Sequence, residues 1–315
     1  MENFREKRMN KEIKIAVAMG GPGSEHDVSM ATGQAVLKAL LGEGCDAEAL
    51  EINTSEVIVP EGVELVFNTI HGTFGEDGVL QKQLEAKGVA YTGAGSASSL
   101  LAFDKVASKE RFIEAGVPTP ASETVDCSAG VQMPKMDLPY VVKPPREGSS
   151  VGVHIVREEE EARAAIEDAA KYGDEVLVEQ FVEGKELTVG IVDGEVFPVV
   201  HIAPRSGFYD MSNKYPWMTG EGGTDYYCPA ELDEETTQRV QDAALAAHRA
   251  LGVEVYSRVD VLLDADGNPF VLEANTIPGM TESSLLPKAA KEAGYSFGNL
   301  CMKIAEVSLQ TPRNV

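Results

Sequence analysis

RVDVLLDADGNPFVLEANTIPGMT, residues 258–281, reads as two strands, RVDVLL and FVLEANT, joined by the polar loop from Asp264 to Pro269. Asp, Gly and Asn there suit a tight turn. A turn centred between Asp266 and Gly267 sets an antiparallel register with Asp260 facing Glu273 and Arg258 facing Asn275. Side chains alternate along a strand, so all four project from one face, with opposed Cβ atoms roughly 5 Å apart. Val259, Val261, Leu272 and Ala274 take the other face. Two carboxylates held so close repel, so either one is protonated or a cation lies between them. Two acids and an amide oxygen form a hard, all-oxygen set that suits Mg²⁺ carrying nucleotide phosphates better than zinc. An exposed edge with scattered charge fits the hairpin alone equally well, and the rest of the chain must decide.

The 315 residues, 43% hydrophobic and 25% charged, have ordinary soluble composition and length for two or three packed domains. With 51 acidic against 27 basic side chains the formal charge is −24, which argues against nucleic acid or an anionic membrane as a standing partner. An anionic substrate then needs a local basic pocket. No apolar run approaches the roughly 18 residues of a membrane span, and MENFREKRMNKE lacks the apolar core of a signal peptide. The cytoplasm is the expected location. Cys45, Cys127, Cys228 and Cys301 form no CxxC and read as reduced thiols.

Ile13 to Met19 (IKIAVAM) is a continuous apolar run, the mark of a strand buried on both faces, and GGPGSEHDVS leads into an amphipathic helix around Met30 to Leu41. His26 replaces the third glycine of a GxGxxG fingerprint, so NAD is not implied. Ser24 or Asp27 is placed to cap the helix. Glu25, a carboxylate beside a helix N-terminus, is placed to receive a substrate ammonium. Ala47 to Ile52 and Glu64 to Ile70 are further strands, the second running into HGTFGEDGVLQKQLEAKG, a loop and a helix stopped by Gly88. This alternation implies a parallel sheet. His71 lies at a strand's carboxyl end, where open α/β sheets place ligands, and is expected to support the residues that touch them.

Asp104 caps KVASKERFIEAG, and Lys105 in its first turn opposes the helix dipole, which suits an ammonium facing an anion. LPYVVKPPREGSSVGVHIV, residues 138–156, reads as strand, glycine- and serine-rich loop, strand. It has neither the Walker order nor a following helix. Even so, Lys143 and the loop EGSSVG offer backbone N–H groups, hydroxyls and an ammonium to a phosphate. A lysine in an apolar strand is costly without a partner. After an acidic helix from Glu158 to Tyr172, the strand Val176 to Gln180 leads through a short linker to Glu186, and Asp193 and Gly194 mark a hairpin turn. That linker could hold an adenine edge by backbone bonds and a ribose by a carboxylate. Pro204 to Pro229 is aperiodic, carries the only Trp and Lys214 beside Tyr215, and reads as a closing lid. Helices follow at Thr236 to Leu251 and Phe297 to Leu309.

In this order, GGPGSEHDVS, HGTFGEDG, FDK, VVKPPREGSSVG, FYDMSNKY, RVD and EANTIPGMTESSL resemble the D-alanine:D-alanine ligases of the ATP-grasp superfamily, from about Ile13 to Leu300. The resemblance implies an α/β, three-domain ATP-grasp architecture: an N-terminal open parallel sheet domain (1–103), then central (104–185) and C-terminal (186–315) subdomains that sandwich ATP. It implies a cytoplasmic homodimer serving peptidoglycan precursor synthesis. The implied enzyme phosphorylates the carboxylate of one D-alanine with ATP, and the amine of a second attacks the D-alanyl phosphate. Phosphorylation removes the charge that makes a carboxylate a poor electrophile and supplies a leaving group.

Carried over residue by residue, the resemblance makes Lys105, Lys143, Ser150 and the lid's Lys214 phosphate contacts. Glu179, Gln180, Phe181 and Val182 become the adenine linker and Glu186 the ribose carboxylate. Asp260, Glu273 and Asn275 become ligands of two Mg²⁺ or Mn²⁺ ions. Glu25, Ser149 and Tyr215 form a hydrogen-bonded trio at the first D-alanine, and Arg258, Gly279 and Ser284 the pocket of the second. This sequence departs from the family pattern at Gln180, where many members have lysine, in a longer Gly-rich lid, and at Ser283, often histidine. A sister ligase making D-alanyl-D-lactate or D-alanyl-D-serine is the nearest alternative, against which Tyr215 argues, and a binding module without turnover is the other.

Overall fold

A computed structural model of the chain describes residues 13–148, 150–206, 209, 213 and 223–312. Three sheets follow one another along it. The first takes β1 (Lys14–Gly20), β2 (Asp46–Ile52), β3 (Leu65–Asn68) and β4 (Ala90–Tyr91) in the order β2-β1-β3-β4. Its pairings are all parallel. β1 is interior: Ile15, Val17 and Met19 enter one core while Ala16 and Ala18 enter another, which is why its sequence shows no alternation.

Helix α1 (His26–Gly42) begins one residue after Glu25, which is its N-cap in place of the expected Ser24 or Asp27 and makes no side-chain capping bond. The reason lies in the turn before it. Gly20 and Gly21 both have positive φ, and His26 Nδ1 sits 2.9 Å from the Gly21 carbonyl. α1 then lies so close to β1 that a Cβ on Gly33 would stand 2.4 Å from Met19 Cβ and 2.9 Å from Thr69 Oγ1. Gly33→Ala is therefore expected to destabilise the fold by about 1–3 kcal/mol through overpacking. The check is a lower urea midpoint at unchanged slope; an unmoved midpoint would mean that α1 can lift from the sheet at no cost.

After α2 (Val79–Lys87), α3 (Ser96–Phe103) and α4 (Lys105–Glu114) lead to the second sheet. Asp104 caps α4 as expected, Oδ1 accepting from the Val106 and Ala107 N–H groups. The second sheet holds β5 (Ser122–Asp126), β6 (Tyr140–Lys143), β7 (His154–Val156) and β8 (Glu175–Gln180), antiparallel in the order β5-β8-β6-β7. α5 (Glu159–Ala169) covers one face, packing Ala162, Ala165 and Ile166 with Val142, Val176 and Val178. The other face carries Val141, Lys143 and Glu179 into a cleft.

The third sheet is antiparallel, with β9 (Gly184–Val192), β11 (Val200–Pro204), β12 (Thr224–Tyr227), β13 (Tyr256–Asp264) and β14 (Pro269–Asn275) in the order β12-β11-β9-β13-β14, and β10 (Glu195–Val196) on β9. Leu187, Val189, Val259, Val261 and Val271 pack under Val240, Ala244 and Ala247 of α6 (Glu234–Ala250). α7 (Leu285–Glu292) and α8 (Phe297–Gln310) close the chain. α8 returns to the first sheet: Leu300 and Ile304 share a core with Val17 and Leu40, and with Phe197, Val200 and Tyr256 of the third-sheet region. The second sheet has its own core, so the opening falls between it and the other two. All four cysteines are free thiols, and among the described residues no helix is long and apolar enough to cross a membrane.

His248 of α6 is buried with Nδ1 2.8 Å from Ser257 Oγ. Burial first, then Arg249, pulls its pKa down to about 4. Between the unfolded value of 6.5 and that point the unfolded chain binds the extra proton, so stability falls as pH falls, by up to about 3 kcal/mol. His248→Gln is expected to remove that part of the loss, read as a smaller drop in urea midpoint between pH 6.5 and 4.5 than in the unmodified chain. An equal drop in both would place the acid sensitivity elsewhere.

Candidate active site

The central hairpin has the expected register where it matters: Arg258 pairs with Asn275, and Asp260 with Glu273. Beyond Asp260 the register slips, Val261 pairing with Val271, so that Leu272 is an extra residue on β14. Bulges of this kind re-aim side chains. Leu272 therefore does not share the core face with Val259, Val261 and Ala274. It lines the cleft beside Leu262 and Glu273, while Val271 takes the core position.

Asp260 is buried and collects four donors. Arg258 Nε at 3.0 Å and Thr188 Oγ1 at 2.6 Å reach Oδ1. Arg258 Nη2 at 2.9 Å and Asn275 Nδ2 at 3.1 Å reach Oδ2. Burial alone would weaken the Arg258 charge, but Asp260 outweighs it and holds the guanidinium more firmly protonated than usual. Across the ladder, Glu273 Oε2 lies 3.1 Å from Lys105 Nζ, which also donates to the Glu147 carbonyl at 2.8 Å. Burial would lower the Lys105 ammonium; Glu273, with Glu179 and Glu76 farther off, overcomes this and raises it. The lysine that opposes its helix dipole does face an anion.

The first cleft, about 470 Å³, lies between the second and third sheets. Lys105, Lys143, Glu147, Ser150, Asp260 and Glu273 stand around one part of it, and the linker from Glu179 to Val182, with Glu186, lines another. Ser150 has φ +61, and its hydroxyl donates to the Tyr209 carbonyl at 3.0 Å. Glu179 is less open than the linker reading suggests: it is 2% exposed, contacted by Lys143 through Oε2 and by Lys109 through Oε1 at 2.8 Å. Burial would raise its carboxyl, yet the two ammonium groups hold it below the usual range. Beside Gln180, the Arg157 guanidinium lies 4.8 Å from the Phe181 ring centroid, bringing a cation to the linker although position 180 has none.

A second pocket, about 500 Å³, adjoins the first and shares Gly148, Tyr209 and Glu273 with it. Glu25, His71, Arg258, Asn275, Gly279 and Ser284 line it. The Glu25 carboxylate sits against glycine backbone: a Cβ at Gly72 would come within 2.6 Å of Oε2, and one at Gly148 within 3.1 Å. Gly279 is constrained likewise, its missing Cβ 2.9 Å from Ser284 Oγ, an atom that accepts from the Thr281 N–H at 3.1 Å. His71 is anchored through Nε2 to Thr32 Oγ1 and through Nδ1 to the Ile277 carbonyl, both at 2.9 Å. It ties the first sheet to the segment after β14. Tyr226 adds a wall, with its hydroxyl 3.0 Å from that of Tyr209 and Lys288 Nζ 5.8 Å from its ring centroid. Burial, then Tyr226, pushes the Tyr209 phenol far above its ordinary range.

Ser149, Lys214 and Tyr215 lie outside the described residues. Sequence reasoning passed over Lys109, Arg157, Thr188, Tyr209, Tyr226 and Lys288. A buried lysine spaced four residues from Lys105 on one helix face was the one signal available for any of them. Asp260, Glu273 and Asn275 are oxygen donors of the kind a hard divalent cation takes, and positive groups, Lys105 and Arg258, already gather at the two acids. Among the described residues no group of three or more His, Cys, Asp or Glu converges as a metal site. A cation here therefore draws on the amide and on phosphate oxygens as well as the two carboxylates. The residues fit Mg²⁺ on those terms.

Residues 118–306 match the family model described as D-ala D-ala ligase C-terminus. The chain is 46% identical over 294 residues to the D-alanine–D-alanine ligase of Methylacidiphilum infernorum, covering 93% of this chain and 95% of that one. It is 42% identical to the Citrifermentans bemidjiense ligase, covering 95% and 97%. Among solved structures, the Bacillus anthracis D-alanine–D-alanine ligase complexed with ATP gives a TM-score of 0.83 at 32% identity, over 95% of this chain and 98% of that one. The VanG D-Ala:D-Ser ligase of Enterococcus faecalis gives 0.81 at 29%, over 94% and 99%. With the acidic hairpin between two adjoining cavities, these likenesses establish that the chain belongs to the D-alanine–D-alanine ligase family, ATP-dependent enzymes of the ATP-grasp fold.

Proposed function

We propose that the chain joins two D-alanines through a D-alanyl phosphate, ATP lying in the first cleft and the amino acids in the second pocket. The observation that carries this reading is the junction of the two cavities at Glu273 and the Arg258–Asp260 pair. Lys105, Lys143 and Ser150, with Lys214 of the lid, hold the phosphates. Backbone groups from Glu179 to Val182 hold the adenine and Glu186 the ribose. Glu25, with Ser149 and Tyr215, takes the ammonium group of the first D-alanine and ties the lid to the first domain. Gly279 leaves room for the second D-alanine, Ser284 hydrogen-bonds it, and the Arg258 guanidinium points its remaining N–H groups at the oxyanion that forms when the amine attacks. His71 keeps the first sheet and the Ile277 segment in register across the pocket.

Asp260, Glu273 and Asn275 would hold two Mg²⁺ or Mn²⁺ ions, which when bound neutralise phosphate charge. The division at residues 103 and 185 into three domains, a homodimer and a cytoplasmic location belong to the same reading. The test is mass spectrometry of products after incubation with ATP, Mg²⁺ and an equal mixture of D-alanine, D-serine and D-lactate. D-alanyl-D-alanine is expected to dominate. A majority of mixed dipeptide or ester, or no condensation product, would overturn the assignment.

A further inference from the structure

α4 carries a second lysine one turn beyond Lys105, and it does not line the cleft. Lys109 is 2% exposed, with Nζ 2.8 Å from Glu179 Oε1 and 2.7 Å from Thr119 Oγ1. Thr119 gives its own proton to the Val271 carbonyl at 2.8 Å, so toward Lys109 it can only accept. That fixes the lysine from its far side. The other oxygen of Glu179 is held by Lys143, which does line the nucleotide cleft. One buried carboxylate thus lies between two buried ammonium groups.

We infer that Lys109 is a positioning residue for phosphate binding: by occupying one oxygen of Glu179 it leaves the cluster one net positive charge, which reaches the cleft at Lys143. A Lys143–Glu179 pair by itself would be neutral and would draw an incoming anion only as a dipole. The three-membered cluster draws it as a charge, with a longer reach. A net charge under this much protein is costly until an anion completes it, and the triphosphate is that anion. Thr119 and the Val271 backbone keep Lys109 on the far side, so it cannot swing into the cleft and become a phosphate ligand itself. The inference rests on the reading of Lys143 as a phosphate contact.

Calorimetric titration with ATP and, separately, with adenosine tests it on four variants: Lys109→Met, Lys143→Met, Glu179→Gln, and Lys109→Met with Glu179→Gln. Lys109→Met is expected to weaken ATP binding about 10- to 100-fold and adenosine binding less than about twofold, since adenosine has no phosphate to feel the lost charge. Adding Glu179→Gln should return ATP affinity to within about threefold of the unmodified protein, because Lys143 is again uncompensated. A lysine that merely packs would not be rescued by a second deletion. Equal losses for ATP and adenosine, no loss for ATP, or no rescue in the double variant would each overturn the inference. Should Lys109→Met fail to fold, Lys109→Gln takes its place: the same loss for ATP and not for adenosine is expected, and the absence of that loss overturns the proposal. Lys143→Met separates the two readings. If it loses ATP affinity while Lys109→Met does not, Lys109 has no such role and the phosphate assignment stands; if it loses none, the phosphate assignment falls and this inference with it.

Discussion

Asp260→Asn is expected to slow ADP release in the presence of D-alanine by about 10³-fold, while ATP still enters the cleft. Asp260 is 7% exposed, and its two oxygens accept from Arg258, Thr188 and Asn275. The amide keeps the shape but offers one acceptor oxygen and turns an NH₂ toward donors. The negative charge facing Glu273 across the ladder is lost, and the guanidinium loses its partner. Breaking such a pair also costs stability, about 3–5 kcal/mol in comparable buried sites, so rates should be compared well below the unfolding midpoint. Full activity at saturating Mg²⁺ would remove Asp260 from the phosphoryl step.

Arg258→Lys should have the next largest effect, a fall in kcat of about 10²-fold with the KM for ATP little changed. Arg258 grips Asp260 with two nitrogens and also lines the second pocket. A single ammonium cannot keep both bonds and also reach an oxyanion in the pocket. Steady-state kinetics discriminate the roles: a loss confined to the KM for D-alanine, with kcat intact, would mean that Arg258 binds the ground state alone.

Much of this site was legible because the hairpin's signals agree with one another. The Asp-Gly-Asn turn marks the hairpin, the valines choose the buried face, and the polar residues left over fall on the other face. The facing of Asp260 and Glu273 itself depends on the bulge, since next to the turn Leu262 pairs with Phe270 and Leu263 with Pro269. The bulge was not legible, because Leu272 is apolar and the cleft wall it joins is apolar too, so neither face was chemically excluded. Lys109 was hidden for a different reason. Its spacing of four from Lys105 was the one signal, nothing in KVASKERF marks it as buried, and its partner Glu179 comes from β8 of the second sheet. α3 and α7 are eight residues each, too short for periodicity to declare them. Tyr209 and Tyr226 meet through the aperiodic stretch read as a lid, where spacing carries no structural information.

The central claim is that a divalent cation is clasped by Asp260, Glu273 and Asn275 where the nucleotide cleft meets the amino-acid pocket. The most direct measurement is Mn²⁺ stoichiometry by electron paramagnetic resonance at saturating non-hydrolysable ATP analogue, for the unmodified protein and for Asp260→Asn combined with Glu273→Gln. The account predicts two bound Mn²⁺ per unmodified chain and at most one in the double variant, with nucleotide bound in both. Two Mn²⁺ retained by the double variant would contradict it.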